Sequence, residues 1–324
     1  MPGAGHAGVR VAVLDDYQGV ARSLGPWAAL GDRIELEVFG EHIGDVSALV
    51  QRLRPFEVVV AMRERTPFPR RILSALPNLR LLVTTGGHNA AIDLAACTEL
   101  GILVCGTGGV AHGTAELTWA LILAAARQLP NELASVRDGG WMTAVGRDLH
   151  GARLGVIGLG RLGARVARIG SAFGMDVVAW SQNLTEARCA EVGVSRVTKE
   201  ELLATSEFVT IHLVLSDRTR GLIGERELDA MRPDAWLVNT SRGPICDEQA
   251  LAAACRDGRI AGACLDAFTD EPLPTAHPFR TLPNVLASPH VGYVTTQTYQ
   301  VFFADIVEDI GRWLAGDPVR VVTD

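Results

Sequence analysis

The chain is predicted to be an α/β protein of two doubly wound units, each built on a parallel sheet. Two observations predict it. Short apolar runs alternate with helically spaced stretches, and the series occurs twice, the rhythm of strand–helix–strand units with parallel strands. Between the two series, Leu154-Gly155-Val156-Ile157 runs into Gly158-Leu159-Gly160-Arg161-Leu162-Gly163 and then into a helically spaced segment over 164–173, a strand–turn–helix around three spaced glycines. A length of 324 residues suits about two domains.

In order along the chain, residues 9–14 form an apolar run closed by Asp15-Asp16, the first strand. Residues 34–39 alternate as Ile-Glu-Leu-Glu-Val-Phe, a second strand, and 46–53 have helical spacing. Residues 58–62 are a β-branched third strand, 70–76 a short helix ended by Pro77, and 79–84 a further strand that runs into Thr85-Gly86-Gly87-His88-Asn89. Gly106 to Gly109 interrupts the pattern. Residues 114–129 are then a long helix apolar on most sides, which belongs in a core or in a subunit contact, and the pattern leaves both open. The second series places strands at 154–157, 176–180, 208–211, 235–239, 261–265 and 285–287, with helices between them, for example 200–204 and 247–256. The final segment, 295–314, is amphipathic and too polar to span a membrane.

Composition narrows the function classes. Charged residues at 21% and apolar residues at 48% suit a soluble globular chain. A net charge of −7 argues against a nucleic-acid partner. Residues 1–10 are Gly/Ala-rich without a hydrophobic signal core, and no apolar run reaches the ~20 residues of a membrane helix. The six cysteines form no C-x-x-C pair and several lie inside apolar runs, where buried reduced thiols are expected; a cytoplasmic location follows, and no metal site is expected.

The glycine turn carries the first functional reading. Gly158 permits the tight turn, Gly160 lets a pyrophosphate approach the backbone, and Gly163 lets helix and strand pack closely. The helix N-terminus adds N–H groups and a partial positive charge for phosphates. The expectation is a dinucleotide-binding Rossmann unit. Three later residues supply what nicotinamide chemistry asks of a protein: a proton carrier, a partner for it, and a cation for a carboxylate. His290 follows the 285–287 strand, Glu271 the 261–265 strand and Arg242 the 235–239 strand, so all three fall at carboxyl ends, where open parallel sheets bind ligands.

At these residues the sequence resembles the D-isomer-specific NAD(P)-dependent 2-hydroxyacid dehydrogenases. The likeness rests on the glycine turn, Asn239-Thr240-Ser241-Arg242-Gly243, Leu265-Asp266-Ala267-Phe268 with Glu271-Pro272, and Ser288-Pro289-His290-Val291-Gly292. Ala115-Glu116-Leu117-Thr118, Trp141 and Leu149-His150-Gly151 also match in place. The resemblance implies a Rossmann cofactor domain inserted into a discontinuous flavodoxin-like substrate domain, with substrate-domain residues 1–105 and 291–324 around cofactor-domain residues 106–290, and ligands in the cleft between them. It implies a homodimer made largely through the cofactor domains. It assigns His290 as general acid/base, Glu271 as the carboxylate favouring its charged form, and Arg242 as the clamp on the substrate carboxylate. Backbone N–H groups of Gly86 and Gly87 would meet the same carboxylate. Cofactor contacts are expected from Gly158, Gly160, Arg161, Leu162 and Gly163 in the turn, from Ser181 and Gln182 after the second strand, and from His212, Thr240, Asp266 and Gly292.

There are departures from the family pattern. The loop after His212 lacks the usual proline, and Thr85–Asn89 differs from the commoner substrate loop, so that His88 either enters the substrate pocket or faces solvent. An NAD-selective unit ends its second strand in Asp or Glu; here Ser181 stands there, so NADPH is expected to be accepted and slightly favoured over NADH. The expected function is hydride transfer between a nicotinamide cofactor and a small D-2-hydroxyacid or 2-oxoacid. The alternative is a non-catalytic NAD(H)-sensing, corepressor-like protein on the same fold.

Overall fold

A computed structural model describes residues 8–323, so most of the 1–10 segment lies outside the described residues. The chain divides into two units, one comprising the residues up to Val110 together with those from Thr295 onward, the other Ala111–Val294.

The first unit holds a five-stranded parallel sheet of β1 (Val9–Val13), β2 (Ile34–Val38), β3 (Val58–Ala61), β4 (Leu81–Thr84) and β5 (Leu103–Gly106) in the order β2-β1-β3-β4-β5. This is the flavodoxin-like order. β3 and β4 are buried throughout, which is why they read as unbroken apolar runs, whereas the edge strand β2 alternates because its glutamates face out. β5 was not expected. It lies at the other edge, where Val322 N–H donates to Val104 O (2.9 Å) and Cys105 bridges Val321 in antiparallel fashion. The helix Thr296–Leu314 buries Tyr299, Phe302, Phe303, Ile306, Val307 and Ile310, so the chain's last segment completes the first unit's core.

Both unit boundaries lie a few residues beyond 105 and 290, for identifiable reasons. Past β5, Gly108 N–H donates to Asp305 Oδ2 (2.7 Å), which keeps the stretch up to Val110 with the helix Thr296–Leu314. At the other crossing, Val291 and Gly292 N–H donate to Asp266 (both 2.8 Å), which keeps them in the second unit.

The second unit holds a seven-stranded parallel sheet of β6 (Arg153–Ile157), β7 (Asp176–Trp180), β8 (Ser195–Arg196), β9 (Phe208–Ile211), β10 (Trp236–Asn239), β11 (Gly262–Leu265) and β12 (Val285–Ala287), in the order β12-β11-β10-β9-β6-β7-β8. That is the Rossmann order with one strand added, and it reverses direction between β6 and β9. β8, two exposed residues, has no apolar signature.

The apolar stretch expected as one helix over 114–129 is two. Gly113–Ala126 packs its Ala115, Trp119, Ile122, Ala125 and Ala126 into the core. Gln128 then turns left-handed (φ 50°), and Leu129–Arg137 follows with no buried residue. Core packing therefore accounts for the apolarity of the first helix. Leu123 is its exposed large apolar side chain, and more lie downstream, among them Leu133, Val136, Trp141, Met142 and Val145. All six cysteines are buried and unpaired. Among the described residues, no helix is long and apolar enough to cross a membrane.

Candidate active site

The glycine turn stands at the point where the second sheet reverses. Gly158 has φ 98°, and a Cβ there would lie 2.5 Å from His212 O. A Cβ on Gly163 would collide with the Gly158 carbonyl oxygen. A Cβ on Gly160, by contrast, would meet nothing within 4 Å, so the turn is closed on the protein side and open where a phosphate would approach. The helix Arg161–Ala172 starts here, and its first backbone bond runs from Ala164 N to Gly160 O, which leaves the N–H groups of Arg161, Leu162 and Gly163 outside the helical ladder. Arg161 is exposed and Leu162 half-buried. These residues fit a dinucleotide's pyrophosphate.

His212, at the end of β9, packs against this turn and hydrogen-bonds Thr210 Oγ1 through Nε2 (3.0 Å). Burial pushes its pKa down to about 4, which favours the neutral ring at pH 7. Thr240, past β10, pairs its hydroxyl with that of Thr118 (2.8 Å) on the helix Gly113–Ala126. Ser181 follows β7, whose last carbonyl, Trp180 O, accepts from Gly158 N–H (2.8 Å); Ser181 is half-buried and Gln182 exposed. Asp176, at the opposite end of β7, is bound by Arg153 (2.6 Å).

His290 and Glu271 come together. His290 Nδ1 lies 2.7 Å from Glu271 Oε2, and Glu271 Oε1 accepts from Phe268 N–H (2.8 Å). The ring stands edge-on to Tyr293, with centroids 5.6 Å apart. Nδ1 thus faces the carboxylate, and Nε2 is the nitrogen left for a substrate oxygen. His290 is held left-handed (φ 54°), a conformation side chains other than glycine rarely adopt.

Asp266 supplies the restraint that keeps it so. Its Oδ1 accepts from Ser288 Oγ (2.6 Å) and Val291 N–H (2.8 Å), and its Oδ2 from Gly292 N–H (2.8 Å), which ties the loop down on both sides of His290. Burial raises the Asp266 pKa, against these three bonds and the nearby His290. The resemblance implies a cofactor contact for Asp266; its bonds within the protein go to the histidine loop. Gly292 is part of the same arrangement, since a Cβ there would lie 3.0 Å from Asp266 Oδ2.

Arg242 is carried by a turn fixed from within. Asn239 donates to Arg242 O (2.9 Å) and accepts from Ser241 N–H (3.0 Å), while Ser241 Oγ donates to Ile211 O (2.8 Å). Gly243 presses on the Phe268–Thr269 backbone, where any Cβ would clash. The guanidinium donates to Ser241 O through one terminal nitrogen (2.8 Å).

In the first unit, the loop that follows β4 carries Gly86, Gly87 and His88. Gly86 N–H donates to Thr107 Oγ1 (2.8 Å), so it is engaged within the fold; Gly87 and His88 are exposed. Arg63, which has no counterpart among the expected site residues, lies over Gly86 and donates to Thr85 O (3.1 Å). The signal for it was present, a basic residue at the carboxyl end of a buried strand, as for Arg242.

A glycine turn at a sheet reversal, with a histidine–carboxylate pair on strand ends of the same sheet, defines a nicotinamide-dependent oxidoreductase. Comparison with known proteins identifies the family. Residues 119–292 match the model of the D-isomer specific 2-hydroxyacid dehydrogenase NAD-binding domain. The chain is 44% identical over 237 residues to a glyoxylate reductase of Aeropyrum pernix, covering 70% of this chain and 71% of that protein. It is 36% identical over 275 residues to a D-3-phosphoglycerate dehydrogenase of Archaeoglobus fulgidus, covering 84% of this chain and 52% of the relative, and so spans about half of that longer protein. The crystal structure of a phosphoglycerate oxidoreductase from Vibrio cholerae O395 superposes with a TM-score of 0.91 at 36% identity, covering 95% of this chain and 99% of that one. The protein belongs to the D-isomer specific 2-hydroxyacid dehydrogenase family and transfers hydride between a nicotinamide cofactor and a 2-hydroxyacid.

Proposed function

We propose that the protein interconverts a small 2-oxoacid and its D-2-hydroxyacid with His290 moving the proton and Arg242 gripping the carboxylate. The observation that carries this reading is the 2.7 Å contact between His290 Nδ1 and Glu271 Oε2. In the reducing direction, Nε2 of the imidazolium gives its proton to the C2 oxygen as hydride arrives at C2; Glu271 holds the ring and balances its charge. The bound nicotinamide supplies or accepts the hydride. Arg242 binds the carboxylate through its planar fork and polarises the adjacent carbonyl. In the loop after β4, Gly86, Gly87 and the exposed His88 are the proposed substrate contacts. The test is a panel of 2-oxoacids, glyoxylate among them because relatives bear its name, assayed with NADH and NADPH. Turnover of at least one acid supports the proposal; turnover of none, with cofactor binding retained, would favour the NAD(H)-sensing alternative.

The cofactor proposal rests on Ser181. With no carboxylate at the end of β7, nothing there repels a 2′-phosphate. Asp176 does not substitute, because it lies at the far end of the strand and is paired with Arg153. Arg188 borders the turn, donating to Leu159 O (3.1 Å) and pairing with Glu191 (2.7 Å). NADPH is therefore expected to be accepted and slightly favoured, and Ser181→Asp to move the ratio of kcat/KM values toward NADH. A wild type that strongly prefers NADH would overturn this.

A homodimer is the proposed assembly. Trp141, Met142 and Val145 are 71%, 79% and 93% exposed, and Leu123, Leu129, Leu133 and Val136 add to one apolar stretch of chain. Monomers rarely leave such patches uncovered. Light scattering at micromolar concentration should give twice the monomer mass; a monomer mass would refute it. A cytoplasmic location remains part of the proposal, supported by the six unpaired buried thiols.

A further inference from the structure

Glu271 lies on an irregular stretch between β11 and β12, and its carboxylate is useful only if that stretch holds still. Within the stretch, Arg280 donates to Leu273 O (2.5 Å) and Pro274 O (2.9 Å), and His277 N–H donates to Pro274 O (3.0 Å). These bonds shape the loop without fixing it to anything else. Apolar packing of Leu273, Phe279 and Leu282 on the second unit's core holds part of the stretch, and a polar tie comes from Glu248, in the first turn of the helix Glu248–Arg256, which is capped by Asp247.

Glu248 reaches both ends of the loop with one carboxylate. Oε1 accepts from Thr269 N–H (2.7 Å), two residues before Glu271. Oε2 faces His277 Nε2 at 3.8 Å, six residues after Glu271. The His277 ring is oriented for this. Its Nδ1 accepts from Phe279 N–H (3.3 Å), which leaves Nε2 as the ring nitrogen facing Glu248, and Phe279 is buried and lies against the ring with centroids 4.7 Å apart. Glu248 and His277 are both largely shielded from solvent. The Thr269 end also abuts Gly243, next to Arg242, so the same tie bears on the turn that presents the arginine.

We propose that Glu248 and His277 form a clasp that closes the Glu271 loop at both ends, and that both are positioning residues for the His290–Glu271 pair. The inference rests on the proposed role of that pair. With the clasp open, the backbone that carries Glu271 is held less firmly, and the Glu271–His290 contact that orients the imidazole for proton transfer loosens. The glycine turn lies elsewhere in the unit and is unaffected.

The test uses the full-length enzyme and four variants: Glu248→Ala, His277→Ala, their double mutant, and Glu248→Gln, which keeps an acceptor for Thr269 N–H. Each alanine variant should lose about 10-fold or more in kcat with the KM for the nucleotide unchanged. The double mutant should lose no more than the larger single loss, because the two residues act as one unit. Glu248→Gln should recover part of the activity, and hydrogen exchange at the 268–277 backbone should be faster in Glu248→Ala than in wild type. Unchanged kcat in a folded Glu248→Ala, or losses that simply multiply in the double mutant, would overturn the clasp. If the alanine variants do not fold, Glu248→Gln and His277→Gln replace them, and wild-type kcat in both would overturn it equally. Glu271→Gln is measured in parallel: if it retains full turnover, the reading of the His290–Glu271 pair fails, and the clasp with it; if it loses turnover while the clasp variants do not, the clasp alone fails.

Discussion

Replacing His290 by alanine is expected to lower turnover by ~10²–10⁴-fold, the usual worth of a general acid/base, while cofactor binding stays as in wild type. The expectation follows from geometry. Nδ1 is engaged by Glu271 at 2.7 Å, so the ring has one nitrogen for the substrate and a fixed direction in which to present it. The glycine turn proposed to bind the nucleotide shares no residue with the His290 loop. One complication is conformational, because position 290 is left-handed, and alanine resists that conformation more than asparagine does. His290→Asn is therefore the companion variant. It tolerates the backbone and cannot shuttle the proton, and it should show the same loss of turnover with a smaller change in Tm. Steady-state kinetics and nucleotide binding followed by fluorescence check both variants. Near-normal turnover in either folded variant would remove His290 from the chemistry.

What the sequence reveals and what it hides differ in kind. The glycine turn is legible because the chemistry is local: three glycines, a strand before them and a helix after. Arg242, Glu271 and His290 are legible because each follows an apolar run that ends at the same edge of one sheet. The wholly buried strands β3 and β4 announce themselves as apolar runs, and β2 as an alternation. β8 is hidden because two exposed polar residues carry no pattern, and β5 because it is a short run between glycines completed by a segment more than two hundred residues away. The break at Gln128 is marked by the polar pair Arg127-Gln128 and by Pro130 in the first turn of the second helix, but the long apolar run before it masks these signals. Asp266 is legible as a residue at a strand end, but its partners are not. They lie 22 to 26 residues downstream, and only the adjacency of β11 and β12 brings them to its carboxylate. The same holds for Glu248, whose partners are a backbone N–H and a histidine across a loop.

Arg242→Lys should cost on the order of 10²-fold in kcat/KM for the oxoacid while leaving Tm almost unchanged. Lysine keeps the charge, so long-range attraction of the substrate survives. It lacks the planar fork, so the carboxylate loses its two-point grip and with it the orientation of C2 toward the hydride and toward His290. Little destabilisation is expected because the turn does not depend on the side chain. Asn239 holds the Arg242 carbonyl (2.9 Å) and the Ser241 N–H (3.0 Å), Ser241 Oγ holds Ile211 O (2.8 Å), and Gly243 fits against Phe268 and Thr269 by having no side chain. The bond from the guanidinium to Ser241 O is one a lysine ammonium can replace or leave to water at modest cost. The measurement pairs kcat/KM for the best oxoacid of the panel with a thermal melt. A lower kcat/KM at constant Tm assigns Arg242 to the substrate. A lowered Tm with normal activity in the remaining folded enzyme would make Arg242 a structural residue and leave the substrate carboxylate without a cation in this unit's site.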